Sequence, residues 1–455
     1  MHIAVIGAGV VGVTTAWELA QDGHSVEVFD RCSSVASECS FANAGVIAPG
    51  YVTPWAAPGM PGKILRHLLS AHTPVRLHVS LNPDVWRWTW RWLRACQQPV
   101  YERNRAAMHH LARFSQQRLA TLIDELKLEI ERTHGVLVLL RDMQDVKRAR
   151  PGIDLLRSLG VVFKELDEAG CRVVEPALRD DHVLAGGIHL PGDEVGNCRQ
   201  FTQLLRDDAE KGGAKFHLAN DVLRVEPGAR IRLDLRQLAV NDDFAATRLA
   251  QLNAFNPKQV LQAMALRSRA AARFGQPISQ VEFDAVVVCA GADSGRLLSP
   301  IGIHLPLLPL YGYSLTFPRR TAEHGPRSAV MDERFKVVIS PLGERLRVAG
   351  GAELGGQPQR HHPGAIATLY KVLNDWFPGG AQLRRAQAWK GARPMLPDGP
   401  PIVGRSNVPG VWLNLGHGSS GWALSCGSAR ALADMLGGRE APLDMRPLAL
   451  ERIAS

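Results

Sequence analysis

Ile3-Ala4-Val5-Ile6-Gly7-Ala8-Gly9-Val10-Val11-Gly12 decides how this chain is read. Its four leading apolar residues form the short run expected of a parallel strand buried on both faces. The glycines follow at once as G-x-G-x-x-G, after which Val13, Ala16, Trp17 and Ala20 recur at helical spacing until Gly23. A second strand, Ser25-Val26-Glu27-Val28-Phe29, ends in Asp30. In such a β-α-β unit Gly7 makes the tight turn, Gly9 admits a pyrophosphate to the backbone, and Gly12 lets helix and strand close up. The helix start offers free N–H groups and partial positive charge, so the candidate contacts are Gly7, Ala8, Gly9, Val10, Val11 and Gly12. Asp30 is placed to accept from ribose hydroxyls, which argues against a 2′-phosphate. The motif alone leaves the choice of dinucleotide open; its alternative is a glycine-rich turn in another α/β fold.

The rest of the composition narrows the class. With 455 residues, 45% hydrophobic and 21% charged, the chain can bury a large core and exceeds one ordinary domain. The net charge of +9 is not gathered into a basic stripe with interleaved aromatics, so no nucleic-acid partner is expected. Seven scattered cysteines with no C-x-x-C pair read as reduced thiols in a cytoplasmic protein, and no metal site is expected. The apolar start lacks the basic region of a signal peptide, and no later run reaches the ~18 residues of a spanning helix.

The segment after the first unit is Ser37-Glu38-Cys39-Ser40-Phe41-Ala42-Asn43-Ala44-Gly45, then Pro49-Gly50-Tyr51 and Pro54-Trp55-Ala56-Ala57-Pro58-Gly59. An NAD domain would continue into further β-α units; this small, polar stretch reads as backbone laid along an extended cofactor. Further segments follow in order, among them Gly192-Asp193-Glu194-Val195-Gly196-Asn197, Val286-Val287-Val288-Cys289-Ala290-Gly291, Gly312-Tyr313-Ser314, Gly350-Gly351-Ala352-Glu353, Gly391-Ala392-Arg393-Pro394 and Asn414-Leu415-Gly416-His417-Gly418. In these the chain resembles the D-amino acid dehydrogenases (their small, flavin-bearing chain) of the D-amino acid oxidase-like flavoprotein superfamily. The resemblance implies FAD, with further contacts from Arg31, Ser40, Asn43, Ala44, Gly45, Val222, Ala290, Gly291, Gly418, Ser419, Ser420 and Gly421. The last four form a glycine-rich turn at a helix start, suited to negative charge at the flavin N1/O2.

The fold class expected is α/β: a Rossmann-like FAD-binding domain of the D-amino acid oxidase type with an inserted α+β substrate domain on an antiparallel sheet. Residues 1–50, 198–228, 281–300 and 388–455 are assigned to the first, 51–197 and 301–387 to the second. Residues 229–280, rich in Arg, Ala and Gln, read as a family-atypical surface insertion in which Asn256 to Phe274 has the spacing of a basic helix. Residues 102–129 have helical spacing and are expected to pack on the substrate sheet, with His109 and His110 on the surface or in a groove. The stretch Trp86 to Arg94 alternates tryptophan and arginine; as a helix it is either half-buried or a cationic aromatic surface for a membrane interface.

Oxidising an amino acid requires a cation for its carboxylate and a Cα–H aimed at the flavin in a dry pocket. Arg393 is the first candidate, because a guanidinium grips a carboxylate in two places. Tyr313 adds a phenolic hydrogen bond to that carboxylate or walls the pocket, His417 contacts flavin or substrate, and Tyr51 lines the entrance. The reaction expected is oxidative deamination of a small D-amino acid to an imino acid, then a 2-oxo acid and ammonia. The resemblance also implies a respiratory electron acceptor (a quinone or an electron-transfer protein), peripheral membrane contact, and a place in the cytoplasm or at the cytoplasmic face of the inner membrane. The alternatives are an oxidase acting on D-proline, hydroxy-D-proline or secondary amines, and a non-catalytic FAD-bearing component of a larger dehydrogenase. Tyr311 for a usual lysine, Leu308 for a usual tyrosine, Cys39 for a threonine and Ser419-Ser420 for Thr-Leu depart from the family pattern and bear mainly on substrate identity.

Overall fold

The N-terminal apolar run becomes the strand His2–Ile6, in a six-stranded sheet. The computed structural model describes residues 1–67, 72–78, 82–238, 278–358 and 360–453. His2–Ile6 pairs in parallel with Ser25–Asp30 and with Ala285–Val288. Lys215–Leu218 and Val411–Leu415 extend the parallel set outward, and Ile402–Arg405 closes one edge antiparallel. Both faces are covered, which is why these strands are apolar throughout. Ile3, Val5, Val28 and Val287 face the helices Val10–Gln21, Cys198–Lys211 and Gly421–Leu436, joining Val13, Leu19, Phe201 and Leu424 in one core. The alternate residues Ala4, Ile6, Val286 and Val288 meet Val225, Leu233 and Phe283 on the other side.

Those last three residues belong to a three-stranded antiparallel sheet of Asn220–Glu226, Ile231–Gln237 and Ile278–Phe283. The N-terminal end of the expected surface insertion is therefore a core-forming strand, with Ile231, Leu233 and Leu235 buried, while residues 278–280 at its other end pair into the same sheet but stay exposed. The expected basic helix at Asn256 to Phe274 lies outside the described residues.

The second large layer is a ten-stranded sheet. It is mixed rather than antiparallel: Ala329–Asp332 runs parallel to Arg132–Leu140, and Val75–Leu77 parallel to Arg345–Leu354. Val46–Ile47 and Gln387–Met395, which apart from Gln387 the sequence assigned to the nucleotide segments, pair into this sheet. Leu308–Pro318 lies between Gln387–Met395 and Arg345–Leu354, with a register shift between Tyr311 and Tyr313. That bulge sets Gly351, at φ +74°, beside the central cavity.

The helix Gln98–Glu125 packs elsewhere than expected. Its apolar face (Met108, Leu111, Leu119 and Leu122) joins the core of the nucleotide-side helices. Gly427 allows the closest approach there, since a Cβ on it would sit 2.9 Å from Ser115. His109 is buried and donates from Nδ1 to the Pro49 carbonyl at 3.0 Å, while His110 is exposed. The tryptophan-rich segment is the helix Pro83–Ala95, capped by Asn82. Trp88 and Trp92 are buried, and the Trp88 indole donates to the Met395 carbonyl at 3.0 Å. Trp86, Trp90 and Leu93 face outward. No helix among the described residues is long and apolar enough to cross a membrane.

Candidate active site

Between the six-stranded and ten-stranded sheets lies a cavity of about 1110 Å³. Of the expected cofactor contacts, Gly7, Gly9, Val10, Val11, Asp30, Arg31, Ser40, Asn43, Ala44, Gly45, Val222, Ala290, Gly291, Gly418, Ser419, Ser420 and Gly421 line it. Ala8 and Gly12 do not; both shape the turn beneath. Gly7 adopts φ +108°, and a Cβ on Gly12 would stand 1.8 Å from the Gly7 carbonyl oxygen. Gly9 differs: a Cβ there would meet nothing closer than the Ser40 hydroxyl at 3.4 Å. Packing of the chain does not require a glycine there, and the missing side chain leaves the backbone open to the cavity.

Asp30 accepts from the Ala8 N–H at 2.6 Å and the Cys32 N–H at 2.7 Å, one on each oxygen. Each oxygen keeps a second lone pair for a ribose hydroxyl. Burial pushes the Asp30 carboxyl above its ordinary range, against these two backbone donors. Arg31 is tied to Glu38 and Asp293. Ser40 accepts from the Val10 N–H at 3.0 Å, and Asn43 caps the Gly45 N–H through Oδ1 at 3.0 Å. At the other end of the cavity the helix Gly421–Leu436 starts without a side-chain cap, so its first N–H groups remain available to a ligand.

The four substrate-site candidates also line this cavity, but with different freedoms. Arg393 donates from Nη1 to the Gly351 carbonyl at 2.8 Å, and no carboxylate among the described residues pairs with it. Burial holds its pKa below the usual arginine value. Tyr313 is committed: its hydroxyl donates to Glu353 and accepts from the His362 N–H at 3.2 Å. Glu353 also receives Lys390 at 2.7 Å and His78 at 2.7 Å. Tyr313 thus walls the cavity and braces a buried ion pair, leaving little hydroxyl for a substrate. Burial lowers His417 to about 3, so it is a neutral imidazole. The Ser428 hydroxyl donates to the Ser425 carbonyl at 3.1 Å, which makes His417 Nε2, 3.0 Å away, the donor to Ser428. Tyr51 is largely buried, with its pKa raised first by burial and then by Glu333 and Asp193.

Two features were not singled out from the sequence. Gly312 makes room for the Arg393 guanidinium, and Gly391 for the Trp389 ring, whose tip would lie 1.7 Å from a Cβ. Glycines inside predicted strands were the available signal.

A protein-family model described as FAD dependent oxidoreductase matches residues 2–435. The chain belongs to this family. Among curated relatives, the D-amino acid dehydrogenase of Cereibacter sphaeroides is 41% identical over 459 aligned residues, covering 100% of this chain and 96% of the relative. That of Bradyrhizobium diazoefficiens is 38% identical, covering 100% and 99%. Among solved structures, glycine oxidase from Geobacillus kaustophilus superposes with a TM-score of 0.68 at 20% identity, covering 98% of this chain and 97% of that one. L-proline dehydrogenase from P. horikoshii superposes with a TM-score of 0.67 at 15% identity, covering 100% and 97%. These two share the fold. FAD is the family's cofactor, and the cavity suits it: an unobstructed Gly9, a ribose-ready Asp30 and an uncapped helix start lie along one groove.

Proposed function

We propose that this flavoprotein oxidises a small D-amino acid at its Cα–N bond, giving an imino acid that water converts to a 2-oxo acid and ammonia. The observation that carries this reading is Arg393, a half-buried guanidinium with no counter-ion among the described residues, facing a cavity continuous with the dinucleotide groove. A charge partly withdrawn from water is costly until an anion meets it, and a carboxylate fits its forked N–H edge. FAD, when bound, supplies the two-electron acceptor. Gly7, Gly9, Val10, Val11, Asp30, Arg31, Ser40, Asn43, Ala44, Gly45, Val222, Ala290, Gly291 and Gly418 to Gly421 would hold it.

The chain's own work is orientation and drying. Arg393 fixes the carboxylate, and the aromatic walls Tyr51, Trp55, Tyr311, Tyr313 and Trp389 exclude water. Neutral His417, donating to Ser428, adds no positive charge against the substrate amine. Anaerobic mixing with matched D- and L-amino acids tests the reading: D-isomers should bleach the flavin absorbance. Bleaching by L-isomers or simple amines alone would refute it.

The electrons pass on to a respiratory acceptor other than oxygen, a quinone or an electron-transfer protein. Contact with a membrane surface is supported by Trp86, Trp90 and Leu93, which are 63%, 57% and 47% exposed, together with Arg87 and Arg94 on the same helix. Co-sedimentation with anionic vesicles, lost in a Trp86→Ser/Trp90→Ser double variant, is the expected result.

A further inference from the structure

A second hollow lies on the far side of Trp389 from Arg393. Along Gln387–Met395, residues 387, 389, 391 and 393 share one face of the sheet. Thr316 stands in register between Gln387 and Arg347, and Arg345 lies two residues from Arg347, so all four share that face. Opposite them stand Phe41, Glu131 and the start of the helix Cys198–Lys211, which contributes Arg199. Its volume is about 260 Å³, just below the range of pockets for drug-sized ligands and enough for a small ion. Trp389 lines both this hollow and the main cavity.

Its charges do not balance. Glu131 is taken up by Arg345 at 2.6 Å and by the Asn197 amide at 2.7 Å. Arg347, 5% exposed, has only neutral acceptors among the described residues: Thr316 Oγ1 at 3.1 Å and the Asn43 carbonyl at 3.2 Å. Arg199 stacks on Phe41 at 4.3 Å, and its Nε is buried with no hydrogen-bond partner among the described residues. The buried Trp389 Nε1 also lacks one among them. Burial first, and then repulsion from Arg345, hold Arg347 down to about 10. Three guanidinium groups against one carboxylate leave a surplus of two positive charges beside unsatisfied N–H donors.

We propose that this pocket binds a small dianion, either inorganic phosphate or a short dicarboxylate, and that it is separate from the amino-acid site. The inference stands on the fold and its charges, independently of the D-amino acid reading. Arg345 is 44% exposed and opens the pocket to solvent. Asn43 and Trp389 connect it to the main cavity, so occupancy should also perturb the flavin absorbance.

The test is calorimetric titration of the flavin-loaded protein with inorganic phosphate and, separately, with succinate, at constant ionic strength in chloride. Saturable binding is expected, weakened about tenfold or more in Arg199→Gln and in Arg345→Gln and retained in Arg393→Lys. Flavin content and melting temperature of each variant establish that it is folded. Heat with phosphate alone identifies a tetrahedral anion, and heat with succinate alone a dicarboxylate. No saturable binding of either overturns the proposal. So does binding that both pocket variants leave unchanged, or that is lost only in Arg393→Lys, which would place the anion in the amino-acid site.

Discussion

The guanidinium of Arg393 occupies the space that Gly312 leaves by having no side chain: a Cβ there would lie 2.3 Å from Nη2. The obstructed group is the far end of a long side chain, so Gly312→Ala should displace Arg393 without unfolding the sheet. We expect kcat/KM for the best amino acid to fall about 30-fold, ~2 kcal/mol of lost charged hydrogen bonding, carried mainly by KM. Flavin content should stay at the wild-type level. A variant that keeps its KM would show that Arg393 does not hold the substrate.

Tyr313→Phe should behave in the opposite way. The phenol hydroxyl belongs to Glu353, so its loss weakens the Glu353–Lys390 brace rather than the grip on a carboxylate. We expect about 1–2 kcal/mol of lost stability in denaturant titration, with kcat/KM changed by less than about threefold. A large rise in KM at unchanged stability would restore the substrate-binding role that the sequence suggested.

The contrast between these residues shows what sequence can carry. Gly7, Gly9 and Asp30 could be placed together on one cavity wall from sequence because all three fall within one local β-α-β unit. Tyr313 was ambiguous because its hydroxyl partner, Glu353, arrives from another strand, through a bulge that no local pattern announces. For Gln98–Glu125 the periodicity identified an apolar face, but not the layer that buries it; Leu111 and Leu122 meet the nucleotide-side helices. The tryptophan helix carries aromatics on two faces, so spacing could not choose between them. The choice falls on Trp88, whose indole finds the Met395 carbonyl in the interior.

Two glycines of the nucleotide turn should separate folding from cofactor binding. Gly12→Ala forces a Cβ against the Gly7 carbonyl oxygen, a backbone atom with no room to yield. Its expected result is poorly folded protein with a sharply lowered melting temperature. Gly9→Ala has space in the protein itself, so we expect a folded chain with little flavin absorbance per polypeptide. Full flavin content in Gly9→Ala would mean that the groove places its cofactor elsewhere.

His417 provides a pH signature. Its folded-state pKa is lowered by burial to about 3 from an ordinary 6.5. Between those values the unfolded chain binds a proton that the folded chain refuses, so stability is present above pH ~6.5 and declines as pH falls. His417→Gln removes this proton while keeping a donor for Ser428. From pH 6 to pH 4 the wild type should therefore lose about 1.4 kcal/mol per pH unit more than the variant, read as the difference between their urea-unfolding free energies. The opposite sign, with the variant steeper than the wild type, would mean that His417 is charged in the folded protein. In that case it would face the substrate amine as a cation.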